Sequence, residues 1–247
     1  GAVASLEGVR SSWSRLQALS SRNHAIVSGE KPLPASPLSA DANDLALTYG
    51  GASTPAFAHL SFTIPAGQHT VVTGPSGSGK SSVLVCLLGL WPRDEGDLQL
   101  SGIDFDELNH DEVRAAVGTH LSNSALFSGT VRSNLVVTGA TEEAMTGALR
   151  AVGLDEESFL DRPLFEGGRG LSGGEQLRVS IVRALLHGKQ AVFIDEPTAQ
   201  LDEASAALVL SAISALSQDK TVVTAAHERA MLEVDAEISL SVRRSSV

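Results

Sequence analysis

Residues 74–82 combine glycines, a lysine and hydroxyl side chains at a spacing that can bind phosphate. They read Gly74-Pro75-Ser76-Gly77-Ser78-Gly79-Lys80-Ser81-Ser82 and match the pattern G-x-x-x-x-G-K-[ST]. A β-branched segment at 70–73 precedes them and an apolar segment at 83–88 follows, which predicts a strand-to-helix turn. Glycines let successive N–H groups face inward, and the helix N-terminus adds a partial positive charge. We predict that Lys80 reaches the β- and γ-phosphates of a nucleotide and that Ser81 holds Mg²⁺.

A pair of carboxylates follows a second apolar segment. Residues 191–194 are continuously apolar, as in a strand buried on both faces of a parallel sheet, and Asp195 and Glu196 come directly after them. Ligands bind at the carboxyl ends of such strands. Asp195 can enter the shell of Mg²⁺, and Glu196 can polarise a water for in-line attack on a γ-phosphate. An acidic pair at a strand end also arises by chance, but this chain already carries a phosphate loop.

Three further features could contact a nucleotide. The run Leu171-Ser172-Gly173-Gly174-Glu175 precedes an amphipathic helix and can present N–H groups to an anion. Tyr49 ends a predicted strand, where it either stacks on a base or is an ordinary half-buried tyrosine. His227 ends the β-branched strand 221–226 and could bond a γ-phosphate, although a lone histidine there is more often structural.

The elements that position these residues alternate between strands and helices. The 247-residue chain is 43% apolar, enough for a sizeable core, and its charge of −11 argues against a nucleic-acid surface. The single cysteine, Cys86, is expected to be a buried apolar side chain. No run of eighteen apolar residues and no signal-peptide pattern occurs, so we expect the polypeptide as given to be soluble.

The sequence suggests three segments. Residues 1–27 contain a predicted amphipathic helix, which either docks on the domain or ends a longer helix connecting to a transmembrane domain. Residues 28–42 form a mobile Pro/Ser-rich linker. Residues 43–247 form the main domain, with an inserted helical lobe at about 125–185. We predict an α/β fold with a mostly parallel central sheet, an antiparallel β subdomain and this α-helical lobe.

Taken together, these segments resemble the ATP-binding-cassette (ABC) ATPases over roughly residues 43–241. Six motifs stand in the family's order. They are the Walker A loop at 74–82, Walker B at 192–196, the signature at 171–175 with Glu in place of Gln, the A-loop aromatic Tyr49, the D-loop at 199–202 ending in Asp202, and the H-loop His227. The resemblance implies a P-loop NTPase fold and makes Tyr49 and His227 ligand residues.

The resemblance also implies ATP and Mg²⁺ as ligands and a head-to-tail dimer with a second ABC ATPase domain. Each ATP would lie between one chain's Walker A loop and the other's signature, contacted in trans by Ser172, Gly173, Gly174 and Glu175. The exporter-like segment 126–135 implies a transmembrane domain on the same full-length chain, at the cytoplasmic face of the plasma membrane.

One residue departs from the family pattern. The alignment of 126–135 places Ser122 where the Q-loop has glutamine, and serine is too short to reach Mg²⁺ or an attacking water. This suggests one half of a heterodimer with unequal sites. Residues 168–176 and 198–202 resemble the heterodimeric cysteine/glutathione exporters required for cytochrome bd assembly.

Several alternatives stay open. A lipid or multidrug-type exporter would carry the same ATPase motifs, and Ser122 is compatible with a regulatory domain that binds ATP but hardly hydrolyses it. Glu196 weighs against the regulatory interpretation. A non-transport ABC ATPase acting on DNA or ribosomes would need basic patches or coiled-coil insertions, and neither is visible in the sequence.

Overall fold

A parallel β-sheet forms the centre of the molecule. The computed structural model describes residues 28–122, 124–227 and 234–240, so the predicted helix within residues 1–27 and the tail 241–247 lie outside the described residues. Five strands pair in the order β11-β3-β10-β9-β6. Their bounds are β3 His69–Thr73, β6 Val117–His120, β9 Ala191–Asp195, β10 Thr221–Ala226 and β11 Ala236–Ser239. All four pairings are parallel, as predicted.

The registers of this sheet bring the predicted functional residues to one edge. Thr73 pairs with Ala226, and Asp195 pairs with Ala225, so the carboxyl ends of β3, β9 and β10 are level. Residues of β9 are buried throughout because helices cover both faces. The phosphate loop, the acidic pair and His227 leave the sheet at this edge.

An antiparallel sheet packs beside the first. Its order is β2-β1-β4-β5, with bounds β1 Ala40–Leu47, β2 Phe57–Ile64, β4 Glu95–Leu100 and β5 Ile103–Asp104. Inward leucines of β1 and β4 share one hydrophobic core with helix α1, Lys80–Leu87. Strand β1 ends at Leu47, so Tyr49 lies just after the strand instead of at its end.

The predicted linker differs in the structure. Strand β1 begins at Ala40, and the residues before it are tied to the domain. Leu38 is fully buried, Gly29 N donates to Leu108 O at 2.9 Å, and Lys31 N donates to Glu107 O at 2.9 Å. Leu33, between two prolines, and Leu38, after a third, are buried and anchor this stretch, which composition alone had indicated to be mobile.

A helical lobe is inserted between β6 and β9, and it shares a second hydrophobic core with the central sheet. Its elements are β7 Gly129–Thr130, α3 Val131–Val136, α4 Glu142–Ala151, β8 Pro163–Leu164 and α5 Gly173–His187. The Thr141 hydroxyl accepts from Ala144 N and caps α4. Met145, Leu149 and Val179 belong to the hydrophobic cluster that joins the lobe to β9. Helix α5 therefore links the lobe to the central sheet.

Two further α-helices are α2, His110–Ala116, and α6, Glu203–Leu216. Helix α6 buries Val209 and Ile213 against the lobe-side core. Among the described residues, no helix has the length and apolar character needed to span a bilayer.

Candidate nucleotide-binding site

The loop between β3 and α1 depends on glycines at three positions. Gly74, Gly77 and Gly79 all have positive φ angles, of 150°, 77° and 95°. A Cβ on Gly79 would lie 2.5 Å from Ala56 O, and one on Gly74 would lie 2.6 Å from Leu240 O. Since side chains are excluded from both positions, the backbone keeps the tight turn that the motif predicts.

Lys80 begins α1 and reaches back across this loop. Its residue is only 5% exposed, and Nζ donates to Gly74 O at 2.8 Å and Pro75 O at 3.1 Å. The ammonium therefore lies at the mouth of the loop, where the first N–H groups of α1 also point. This arrangement can neutralise a polyphosphate.

A hydroxyl and a buried carboxylate meet beside the lysine. Ser81 Oγ donates to Asp195 Oδ2 at 2.6 Å, and Asp195 is 2% exposed. Its other oxygen, Oδ1, is buried without a hydrogen-bond partner among the described residues. A buried carboxylate oxygen left unpaired is costly unless a cation or water occupies it. Oxygen donors from one serine and one aspartate fit the preference of Mg²⁺.

Glu196 and His227 are brought together at the open side of the site. Glu196 adopts a positive φ of 50°, which is rare for a non-glycine residue, and its N–H donates to Ala225 O at 2.8 Å. Glu196 Oε1 lies 3.2 Å from His227 Nε2, with the side chains 43% and 53% exposed, respectively. The pair faces solvent, where a water could be oriented by both groups.

Tyr49 connects to the phosphate loop and packs on a neighbouring aromatic residue. Its hydroxyl donates to Ser82 Oγ at 3.1 Å, and its ring lies 5.1 Å from the Trp91 ring at 59°. Trp91 Nε1 donates to Thr48 O at 3.1 Å and fixes that ring. Sequence reasoning missed Trp91, whose position after α1 gave no motif signal.

The signature residues form the N-terminus of α5 and hydrogen-bond locally. Ser172 caps the helix by accepting from Glu175 N at 3.3 Å, while Glu175 Oε2 accepts from Ser172 N at 2.7 Å. Glu175 Oε1 accepts from Arg162 Nη1 at 2.8 Å. Partial burial raises the pKa of Glu175, but the Ser172 hydrogen bonds and the Arg162 charge outweigh it and hold the pKa below its ordinary value.

Asp202 supports the D-loop by capping α6. Its carboxylate accepts from Ser205 N at 2.8 Å and from Ser205 Oγ at 3.1 Å, and these bonds, the backbone one foremost, lower its pKa. The loop packs on the signature, since a Cβ on Gly173 would lie 3.1 Å from Gln200 Oε1.

Ser122, at the predicted Q-loop position, also contacts the site, through Asp195. Ser122 Oγ donates to Asp195 Oδ2, the oxygen that also accepts from Ser81. A cavity of about 380 Å³ opens beside it, and buried His120 lines it with Nδ1 2.7 Å from Ser180 Oγ. Sequence reasoning missed His120 and Ser180 because a single buried histidine and serine form no motif.

Comparisons with known proteins show the family of this chain. The family model described as "ABC transporter" matches residues 57–199. Among curated proteins, the Escherichia coli K12 glutathione/L-cysteine transport system ATP-binding/permease protein CydC is 36% identical over 189 residues, 74% of this chain and 33% of that protein. The mycobactin import ATP-binding/permease protein IrtB of Mycolicibacterium thermoresistibile is 39% identical over 182 residues, 70% of this chain and 31% of that protein.

A third relative and a solved structure extend the comparison. The ATP-dependent lipid A-core flippase of Vibrio vulnificus YJ016 is 33% identical over 198 residues, 77% of this chain and 34% of that protein. A bacterial Atm1-family ABC exporter with ATP bound superposes with a TM-score of 0.80 at 24% identity, covering 96% of this chain and 44% of that one. The chain thus spans about a third of the length of these curated relatives.

Proposed function

The chain belongs to the ABC transporter family as one of its ATPase domains, and from this premise we propose that it hydrolyses ATP to drive an exporter. The observation that carries the proposal is the cluster formed by Lys80, Ser81 and Asp195 at the edge of the parallel sheet. The ATP-binding role follows from the family. The proposal adds turnover, Mg²⁺ and coupling to a transmembrane domain of the same full-length protein.

Each residue has a defined task in this reaction. Lys80 and the loop amides bind and orient the β- and γ-phosphates, while Ser81 and Asp195 hold Mg²⁺, which supplies charge neutralisation when bound. Glu196 accepts a hydrogen bond from the attacking water and orients it in line. His227 lies 3.2 Å from Glu196 and can donate either to that carboxylate or to the γ-phosphate. Tyr49 offers its ring to the adenine.

A second ATPase domain completes the site in the proposed working state. Both oxygens of Glu175 are used locally, and the N–H groups of Gly173 and Gly174 lie outside the hydrogen-bond ladder of α5. Amides of this kind bind an anion. We place the ATP of a facing domain there, in the head-to-tail arrangement that the resemblance implies. ATP binding then closes the two domains and hydrolysis reopens them.

The transported molecule is proposed to be a thiol, cysteine or glutathione, exported for cytochrome bd assembly. The resemblance of 168–176 and the similarity to a glutathione/L-cysteine transport protein support this choice. Relatives named for mycobactin and lipid A-core match this domain at 39% and 33% identity, so the solute is selected outside this domain. The domain would lie at the cytoplasmic face of the inner membrane. Thiol-stimulated ATPase activity of the full-length transporter tests the assignment, and stimulation by lipids alone would contradict it.

The experiment that tests hydrolysis is Glu196→Gln. Loss of the general base should slow ATP turnover by about 10² to 10⁴-fold while nucleotide binding persists. Turnover is measured by phosphate release and binding by a fluorescent ATP analogue. Glu143→Gln, an exposed carboxylate on α4, is the matched control and should behave as the unmodified chain. A rate unaffected by Glu196→Gln would mean that another group positions the water.

A further inference from the structure

A carboxylate stands at the helix end that is proposed to receive the phosphates of a facing ATP. Glu175 belongs to the first turn of α5, and its side chain is 21% exposed. An anion at a helix N-terminus stabilises that helix, but it also opposes the binding of a second anion at the same end. The negative charge of Glu175 therefore needs compensation if the signature is to bind ATP.

Arg162 is built to supply that compensation. Its Nη1 lies 2.8 Å from Glu175 Oε1, and its guanidinium lies over the Phe159 ring at 5.3 Å. Its backbone is also fixed, because Arg162 O accepts from Val131 N at 3.1 Å. A second carboxylate, Glu156, is more distant at 3.7 Å. The arginine thus contacts Glu175 from a segment of the lobe whose backbone is hydrogen-bonded to Val131.

We propose that Arg162 is a positioning residue that neutralises Glu175 and keeps the α5 N-terminus able to bind the ATP held by a facing ATPase domain. This inference rests on the proposed ATP sandwich. If the inference is right, a signature with glutamate at its fifth position needs a cationic side chain on the lobe in contact with that glutamate. The hydrogen bond from Ser172 N to the Glu175 carboxylate is then kept, and the negative charge of that carboxylate does not repel the incoming phosphates.

Removal of Arg162 should weaken ATP-driven association more than it weakens folding. In Arg162→Met, the Glu175 charge is unpaired beside the incoming phosphates, and the repulsion should weaken association by about tenfold. Glu175→Gln in the same chain removes the charge and keeps an amide oxygen to accept from Ser172 N. The double variant should therefore recover the association.

Association is measured by sedimentation of the chain in the Glu196→Gln background, with and without ATP and Mg²⁺, across protein concentration. Arg132→Met is the matched control, because Arg132 also bridges two carboxylates on the same lobe, Glu142 and Asp161, at similar exposure. It should associate as the Glu196→Gln parent does. A fluorescent ATP analogue confirms in every variant that the chain's own phosphate loop still binds nucleotide.

The outcomes separate the inference from the proposed function. Rescue of Arg162→Met by Glu175→Gln supports charge neutralisation, because a purely structural role of Arg162 would leave the double variant as weak as the single one. Parental association in Arg162→Met, or no rescue, overturns the inference and leaves the ATPase assignment in place. A parent that binds ATP but never associates overturns the sandwich between copies, and the inference falls with it.

Discussion

Asp195 is hydrogen-bonded to more of the candidate site's hydroxyl groups than any other described residue, because both Ser81 and Ser122 donate to it. One of its oxygens accepts from Ser81 and Ser122, and the other is buried without a partner. Both donors to the first oxygen restrict rotation of the carboxylate, which leaves the second oxygen available to the proposed Mg²⁺. A hydrogen bond to a metal-binding carboxylate, such as the one from Ser122, tunes metal affinity.

Ser122→Ala tests that role. Loss of the hydroxyl should raise the Mg²⁺ concentration needed for nucleotide binding by about tenfold, the lower end of the usual effect of removing a hydrogen bond to a metal-binding carboxylate. The measurement is a Mg²⁺ titration of a fluorescent ATP analogue. Ser124→Ala, which removes a hydroxyl that accepts from Leu121 N in the same loop, is the control. Equal Mg²⁺ titrations for Ser122→Ala and the unmodified chain would show that Ser122 contributes nothing to the ion site.

Lys80→Ala tests the phosphate loop directly. The ammonium is the one side-chain cation that the structure places in contact with the loop carbonyls of Gly74 and Pro75 among the residues described. Its removal should abolish measurable ATP binding, because the polyphosphate loses its main counter-charge. Equilibrium binding of a fluorescent ATP analogue checks this, and wild-type affinity would contradict the assignment. Lys31→Ala, on the far segment before β1, serves as the control.

Strand β6 and helix α5 are joined by a buried hydrogen bond between two side chains. His120 ends β6, and its imidazole meets Ser180 of α5 at 2.7 Å. Burial lowers the pKa of His120 from 6.5 to about 4, with Asp195 raising it and Arg183 lowering it by smaller amounts. The imidazole is therefore neutral in the folded protein across the physiological range.

This contact predicts a pH dependence of stability. Because the pKa of His120 is lower in the folded state, between pH 6.5 and about 4 the unfolded chain takes up a proton and the folded chain does not. The stabilisation from neutral His120 is therefore fully present above pH 6.5 and is lost as the pH falls toward about 4. Relative to His120→Gln, the free energy of unfolding should drop by about 3 kcal/mol over that interval. Urea unfolding of both proteins at several pH values measures the difference. Curves that stay parallel would contradict it.

Features encoded by consecutive residues could be predicted from the sequence, and features that depend on contacts between distant residues could not. The phosphate loop and the acidic strand end are encoded by consecutive residues, and the structure places them as predicted. The start of β1 was missed because Ala40 and Ala42 are small, and their burial comes from pairing with Ile64 and Leu98. The contacts of Ser122 with Asp195 and of Arg162 with Glu175 join residues far apart in sequence, so spacing could not reveal them.

For the whole molecule, the two helix N-termini that we propose to bind anions have separate tasks. The α1 start lies in the chain's own nucleotide site, with Lys80, Ser81 and Asp195. The α5 start is capped within the lobe, and none of its described side-chain hydrogen bonds reaches the phosphate loop. A head-to-tail pair of domains uses both, since each ATP then meets one start from each chain. Activity should therefore depend on association.

The most direct measurement is ATP turnover per chain as the protein concentration is raised, with Glu196→Gln as the blank. If two copies form the ATP sandwich, the rate per chain should climb with concentration and then level off as the dimer saturates. A flat rate at the level of the blank, in protein that demonstrably binds ATP, would contradict a working ATP sandwich between two copies of this chain.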